Sequence, residues 1–419
     1  MINIKNNFIF DHVLFKQYVY VHSVKTNQNS TFLFKNCTIN TINMQNNTFL
    51  SDVKFLLNTR ISNLELTENS FDGILSVQDS IVKNINLYKN ELKNKCYFNY
   101  TCFGDKDHEE SKINLFNAKF QNDIYFDNSI FYNYADFHAC EFKKIASFYG
   151  VKFEKTPNFS QAIFKGNLNV VNTNLNFTFC DLQEKIIQEY EDFNKDKKEE
   201  YQKSLDKFAN DFRDSFRTFK NALIKDNNLL EASNFHKYEL YCKELELKFK
   251  KPKIFSREWI DKWQLFFYRK LCDHHTDLLL NLRWLVVVVG FFVSVLFVLR
   301  YGDGNLLQFF NKDNNLLKIL KAMLNIKALN DSNVAYLILL YSFIGLFFVR
   351  TFFIFYYLVI FILMLAMSPY NLFSVVNFVT KDQSSSSLEN IIMVAYTLIM
   401  ILVLFSLQKT ARKSSIVPS

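Results

Sequence analysis

The sequence predicts a multidomain β + α protein. It reads as a rod of short repeats over residues 1–180, a helical hairpin over 181–252 and a C-terminal membrane section over 277–419. Three observations predict this. Large apolar residues recur at alternating steps of six and five between Phe120 and Leu175. Apolar seams at steps of three and four follow between Leu182 and Phe249. Long apolar runs almost free of charge come after residue 277.

The repeat is cleanest at Phe120, Phe126, Phe131, Phe137, Phe142, Phe148, Phe153, Phe159, Phe164, Val170 and Leu175. Two places before most of these stands a smaller residue: Ala118, Ser129, Ala135, Cys140, Ala146, Val151 and Ala162. A step of five matches neither the helical nor the strand period, but it matches a chain that turns a corner at every repeat. Upstream the rhythm is looser, through Phe34, Ile39, Met44 and Phe49 and then Phe55, Ile61, Leu66, Phe71, Val77 and Val82. There the inner small position is poorly kept, Phe32 being large and Asn47 polar. Residues 89–112 show neither rhythm and carry the charged run 105–110, so they are expected to form an insertion that leaves the stack.

This pattern resembles the pentapeptide-repeat family, in its Phe-centred form with Ala-x-Phe spacing. The resemblance implies a right-handed quadrilateral β-helix, in which the large and small residues both point inward and four repeats close one square coil. The regular sixth residue departs from the strict rule and is read as a bulge at alternate corners. That gives coils of about 22 residues from position 120 onward, and roughly eight coils make a rod on the order of 40 Å long. Each coil buries its ladder only against the next, so both ends need covers. Residues 1–9 are expected to cover one end, and the chain after Leu175 the other. Some family members imitate DNA with an acidic surface; a chain with net charge +8 argues against that, and no nucleic acid is expected.

Seven cysteines, an odd number with no Cys-x-x-Cys pair, argue against a disulfide framework or a zinc site. The N-terminus lacks an apolar stretch of signal-peptide length, so the rod is expected to stay in the cytoplasm. Ser-His-Asp order, H-E-x-x-H, Walker A and G-x-G-x-x-G motifs are not found, so no enzyme activity, catalytic residue, cofactor or resident metal is expected.

After Asp181 the period changes. Leu182, Ile186, Ile187, Tyr190 and Phe193 share one helix face; Tyr201, Leu205, Phe208, Phe212, Phe216, Phe219 and Leu223 form a second seam. Asp226-Asn227-Asn228 signals a turn, a third seam runs from Ala232 to Phe249, and Pro252 ends it. Phe216, Arg217, Lys220, Glu231, Ala232, Phe235 and Glu239 are similar to the F-R-x-x-K and E-A-x-x-F patterns of bacterial membrane-bound pentapeptide-repeat proteins. The resemblance implies a helical cap joining rod to membrane, with Arg217 and Lys220 placed to pair with Glu231 and Glu239.

Residues 253–276 mix Trp259, Trp263, Phe266 and Phe267 with Arg257, Lys262, Arg269 and Lys270, a composition that suits a juxtamembrane amphipathic segment. Cys272, His274 and His275 form the one compact group of soft ligands and lack a fourth member, which favours packing over metal binding. Four transmembrane helices are expected at about 278–299, 334–349, 351–367 and 390–408, with Arg350 in the middle of the long apolar block. A charge at that depth is costly, which makes Arg350 a candidate functional residue. Basic residues before the first span and after the last predict a multi-pass protein of the inner (cytoplasmic) membrane with both ends in the cytoplasm. Three spans remain the alternative, because four would leave the basic 300–333 stretch outside.

The function expected is a membrane-anchored, non-enzymatic scaffold whose rod presents a binding surface. Its partners would be membrane lipid and a protein, or a second copy of itself. The alternative is a channel-like or small transport protein whose gating is coupled to the rod.

Overall fold

The computed structural model describes residues 2–4, 6–108, 110–195, 197–301 and 387–414. They fall into two compact units, one within residues 1–266 and one from 267 onward.

The first unit opens with a β-solenoid of about eight turns. Two parallel sheets hold eight strands each and a third holds ten, and the strands stack in coil order. In the early coils the strands Leu14–His22, Thr38–Gln45, Arg60–Thr67 and Ile81–Asn86 are long enough to run around a corner. In the later coils nearly every strand is two residues long, and the corners dominate. From Lys119 onward strands pair 22 residues apart, as in Phe120 with Phe142 and Phe142 with Phe164. This is the coil length expected from the sequence.

The two step lengths correspond to two kinds of corner. A step of five, such as Phe126 to Phe131, crosses a tight turn closed by a hydrogen bond from Ser129 N to Phe126 O (3.1 Å). Its third residue, Asn128, is left-handed (φ 57°), and so are Asn117, Ala139, Gly150, Gln161 and Asn172, one every eleven residues. Asparagine tolerates that conformation better than most side chains, which is one physical reason for the asparagine content of the corners. A step of six, such as Phe131 to Phe137, crosses a wider bend with one more residue.

The core is one continuous aromatic ladder. Phe120, Phe126, Phe131, Phe137, Phe142, Phe148, Phe153 and Phe159 are buried; Phe164, in the last turn, is half-buried. Rings one coil apart stack nearly parallel at 4.5–5.1 Å, as in Phe137 on Phe159 and Phe126 on Phe148. Rings around one coil meet edge to face, as Phe137 meets Phe131. Both geometries satisfy the ring quadrupoles while excluding water.

Two expectations need correcting. Residues 89–112 do not leave the stack as a block. Glu91–Leu92, Cys96–Tyr97 and Cys102–Phe103 are strands, and Leu92, Cys96, Phe98 and Phe103 are buried. Leu92 pairs with Phe120 across 28 residues rather than 22, so only six residues are extra, and they lie between Phe103 and Ile113. Their base is held by Asn133, which accepts from Asp105 N (2.7 Å) and donates to His108 O (2.9 Å). Nor do residues 1–9 form a cover. Ile2–Ile4 and Phe8–Asp11 are strands of the first coil itself, paired to Val24–Thr26 and Thr31–Lys35. A cover would have to present side chains across the coil opening, whereas these residues continue its wall.

At the other end three helices follow, α1 (Phe179–Asn194), α2 (Leu205–Lys225) and α3 (Leu229–Lys250), of which α2 and α3 close the solenoid. Thr178 and Asp181 form a capping box that starts α1 directly after the last strand. Phe219 of α2 packs on Phe148, Phe159 and Phe164, while Phe216 and Tyr238 pack on Phe177. Tyr238 Oη also donates to Leu175 O (2.7 Å), satisfying a carbonyl of the final strand. α4 (Arg257–Cys272) follows.

The second unit pairs α5 (Leu278–Tyr301) with α6 (Ser387–Ser414). Asn281 lies beside Ser406 and Thr410, and Phe292 beside Tyr396, so the two helices are antiparallel. Among the described residues one stretch, Val394–Ala411, is a helix long and apolar enough to cross a membrane, with mean hydropathy 1.7. The spans expected at 334–349 and 351–367, and Arg350 between them, lie outside the described residues.

Candidate functional site

The charged cap residues that sequence reasoning singled out sit on α2 and α3. α2 and α3 pack side by side, which brings Arg217 and Lys220 opposite Glu239. Arg217 Nε donates to Glu239 Oε1 (3.0 Å), and Lys220 Nζ donates to Oε2 (2.7 Å). His236, one turn earlier on α3, places Nδ1 3.0 Å from the same oxygen. Burial opposes ionisation of this carboxyl. The hydrogen bonds from His236, Lys220 and Arg217 outweigh that and hold it well below the usual carboxylate range. Asp214 adds a contact to Arg217 (3.0 Å).

Glu231 does not join this group. It lies at the start of α3, where Asn228 caps the helix, and its carboxylate accepts from the backbone N of Asn172 (2.7 Å) in the last tight corner. The separation of Glu231 from Glu239 is two turns of helix, so one basic pair on α2 meets only one of them. Glu231 fastens cap to solenoid, and Glu239 fastens α2 to α3.

A second cluster was missed. Tyr134 Oη donates to Glu189 Oε1 (2.7 Å), and Asn158 Nδ2 contacts Oε2 (3.5 Å). Lys185 reaches Glu189 (3.2 Å) and lies over the Tyr134 ring. Asp136 faces the same α1 surface and accepts from His138 N (2.9 Å). Burial, with the neighbouring Glu189 charge adding to it, pushes the Asp136 carboxyl up to about 7 from an ordinary 3.8. His138 Nδ1 meets Ser160 Oγ (2.7 Å), and burial lowers its pKa. Tyr134 and Glu189 are 55 residues apart in sequence and meet because α1 folds back along the fourth side of the solenoid. The only sequence signal is that positions 134, 136 and 138 carry titratable groups among apolar corner residues.

In the second unit, Cys272, His275, Asn281, Ser406 and Thr410 make a buried polar seam. Asn281 donates to Ser406 Oγ (3.0 Å), Ser406 Oγ to Cys272 Sγ (3.3 Å), and His275 Nδ1 lies 3.2 Å from Thr410 Oγ1. Burial raises the Cys272 thiol, opposite to what an activated nucleophile needs. The seam works as interhelical glue. Among the described residues no group of three or more His, Cys, Asp or Glu side chains converges as a metal site would require.

These arrangements fasten helices to coils and to each other. None assembles a nucleophile with a base and an orienting group. No curated protein and no solved structure matches the chain. Residues 126–174, the most regular coils, match the family model described as pentapeptide repeats (9 copies), and the matched stretch coincides with stacked turns of the solenoid.

Proposed function

We propose that the chain is a membrane-anchored scaffold, not an enzyme, whose solenoid offers a protein-binding surface at the cytoplasmic face. The observation that carries this reading is the asymmetry of the solenoid ends. One end is sealed by α2 and α3. At the other, the strands Ile2–Ile4, Phe8–Asp11 and Leu14–His22 each terminate their sheets, and Ile9, Leu14, Tyr18 and Tyr20 are exposed. An edge of this kind pairs readily with another strand, from a partner protein or from a second copy. Anchoring is supported by the apolar stretch Val394–Ala411. The antiparallel α5 and α6 support a topology in which the segment before α5 and the tail after α6 share one side. Membrane lipid is then a further partner.

The test uses the full chain in native membranes with a photo-reactive residue at Tyr20 or, as control, at Lys165. The expected result is that the chain stays with carbonate-washed membranes and that position 20 gives one discrete adduct which position 165 does not. Release by carbonate contradicts the anchor; equal labelling at both positions, or none, contradicts the binding end.

A further inference from the structure

We infer that the segment from Lys248 to Phe266 is an interfacial lipid-binding element that selects anionic headgroups; this rests on the anchored reading above and assigns the lipid class. The observation is an aromatic surface left open to solvent. Phe255, Trp259, Trp263 and Phe266 form an unbroken chain of ring contacts with centroids 5.5, 6.1 and 5.7 Å apart. It is not a core. Phe255 is 83% exposed, Ile254 71%, Ile260 54% and Trp263 50%. On α4, positions 259, 260, 263 and 266 share one side of the helix at 100° per residue, so the rings make a stripe rather than a scatter. Large amphipathic rings on such a stripe fit the depth of lipid headgroups, where one end of the ring is wet and the other dry.

Charge chooses the lipid. Lys248, Lys250, Lys251, Lys253, Arg257 and Lys262 stand against only Glu258 and Asp261. Glu258 is already engaged by Lys250. Lys251, Lys253 and Arg257 are exposed beside the aromatic stripe, where each ammonium or guanidinium can meet a phosphate oxygen while the rings enter the interface. An aromatic stripe alone would accept any bilayer. The basic excess makes an anionic surface the complementary one.

The experiment reconstitutes the full chain, carrying W259F and W284F so that Trp263 alone fluoresces, into vesicles of roughly one part phosphatidylglycerol to two parts phosphatidylcholine. Bromine is placed on the acyl chains of one lipid or the other. The expected result is quenching of Trp263 at least about twofold stronger with brominated phosphatidylglycerol. Changing Lys251, Lys253, Arg257 and Lys262 to Gln removes that preference, whereas K251R/K253R/K262R keeps it. A chain that floats with the vesicles yet shows no quenching, or equal quenching by both lipids, overturns the inference and leaves the anchor standing. A chain that does not float overturns the anchor, and the inference with it.

Discussion

The two halves of the solenoid solve the same corner differently. Along one edge the inner residue just before the strand is Asn47, Asn69 and Asn90 in the early coils, then Ala118, Cys140 and Ala162 in the later ones. The asparagines are buried and form a ladder. Asn69 Oδ1 accepts from Asn47 N (2.9 Å) and Nδ2 (3.0 Å), and Asn69 Nδ2 donates to Met44 O (2.8 Å). Asn90 repeats the pattern one coil on, accepting from Asn69 N (2.8 Å). The later coils drop the amides at this edge, while phenylalanine stacking runs through both halves, as in Phe49 on Phe71 in the early coils and Phe120 on Phe142 in the later ones. The early coils thus lock their register with a buried amide ladder beside the aromatic one, and the later coils with the aromatic ladder and small inner residues. The change falls at the coil that carries the six extra residues.

The largest effect should come from the aromatic half. Phe137→Ala removes a ring stacked on Phe159 and edge-on to Phe126, Phe131 and Phe148, in a site that cannot collapse. It should cost about 3–5 kcal/mol, read as a drop in the unfolding midpoint of the full chain. In the amide half, Asn69→Ala should cost about 2–3 kcal/mol, because it orphans Asn47 N and Met44 O in the interior. Cys140→Ala at the equivalent later corner should cost about 1 kcal/mol or less. Equal losses for Asn69→Ala and Cys140→Ala would remove the distinction between the halves.

The cap clusters sharpen the comparison through pH. Asp136 has its folded pKa raised to about 7, so its protonated form fits the native state. Stability should therefore fall as pH rises from the ordinary carboxylate value of 3.8 toward about 7 and then level off, and D136N should flatten that slope in unfolding measured across the window. Glu239 is the opposite case. Its depressed pKa makes its contribution present above 4.5 and lost as pH falls below it. E239Q should cost about 1–2 kcal/mol at neutral pH, discounted for partial exposure, and almost nothing in acid.

The regular half was legible because a five-six alternation of phenylalanine leaves one geometric solution. The early half was harder to read. Asn47 is polar where the repeat expects a small residue, yet it is an inner residue whose side-chain polar atoms are matched by neighbours one coil away, a pairing that spans more than 20 residues of sequence. Within 89–112, Leu92, Phe98 and Phe103 continue the buried rhythm, and the six extra residues after Phe103 break it, which masks the continuity in the sequence. The contacts of Arg217 and Lys220 with Glu239 follow from local pairing within the α2–α3 hairpin. The Tyr134–Glu189 contact depends on how α1 lies along the solenoid, which no local pattern encodes.

Hydrogen exchange along the full chain tests the central claim, that the solenoid is closed by helices at one end and open at the other. Amides of the last coil, residues 163–175, should be protected as strongly as those of the middle coils, while those of the first coil, residues 8–22, exchange fast. Rapid exchange through 163–175, or protection of the first coil equal to the middle, would contradict the account.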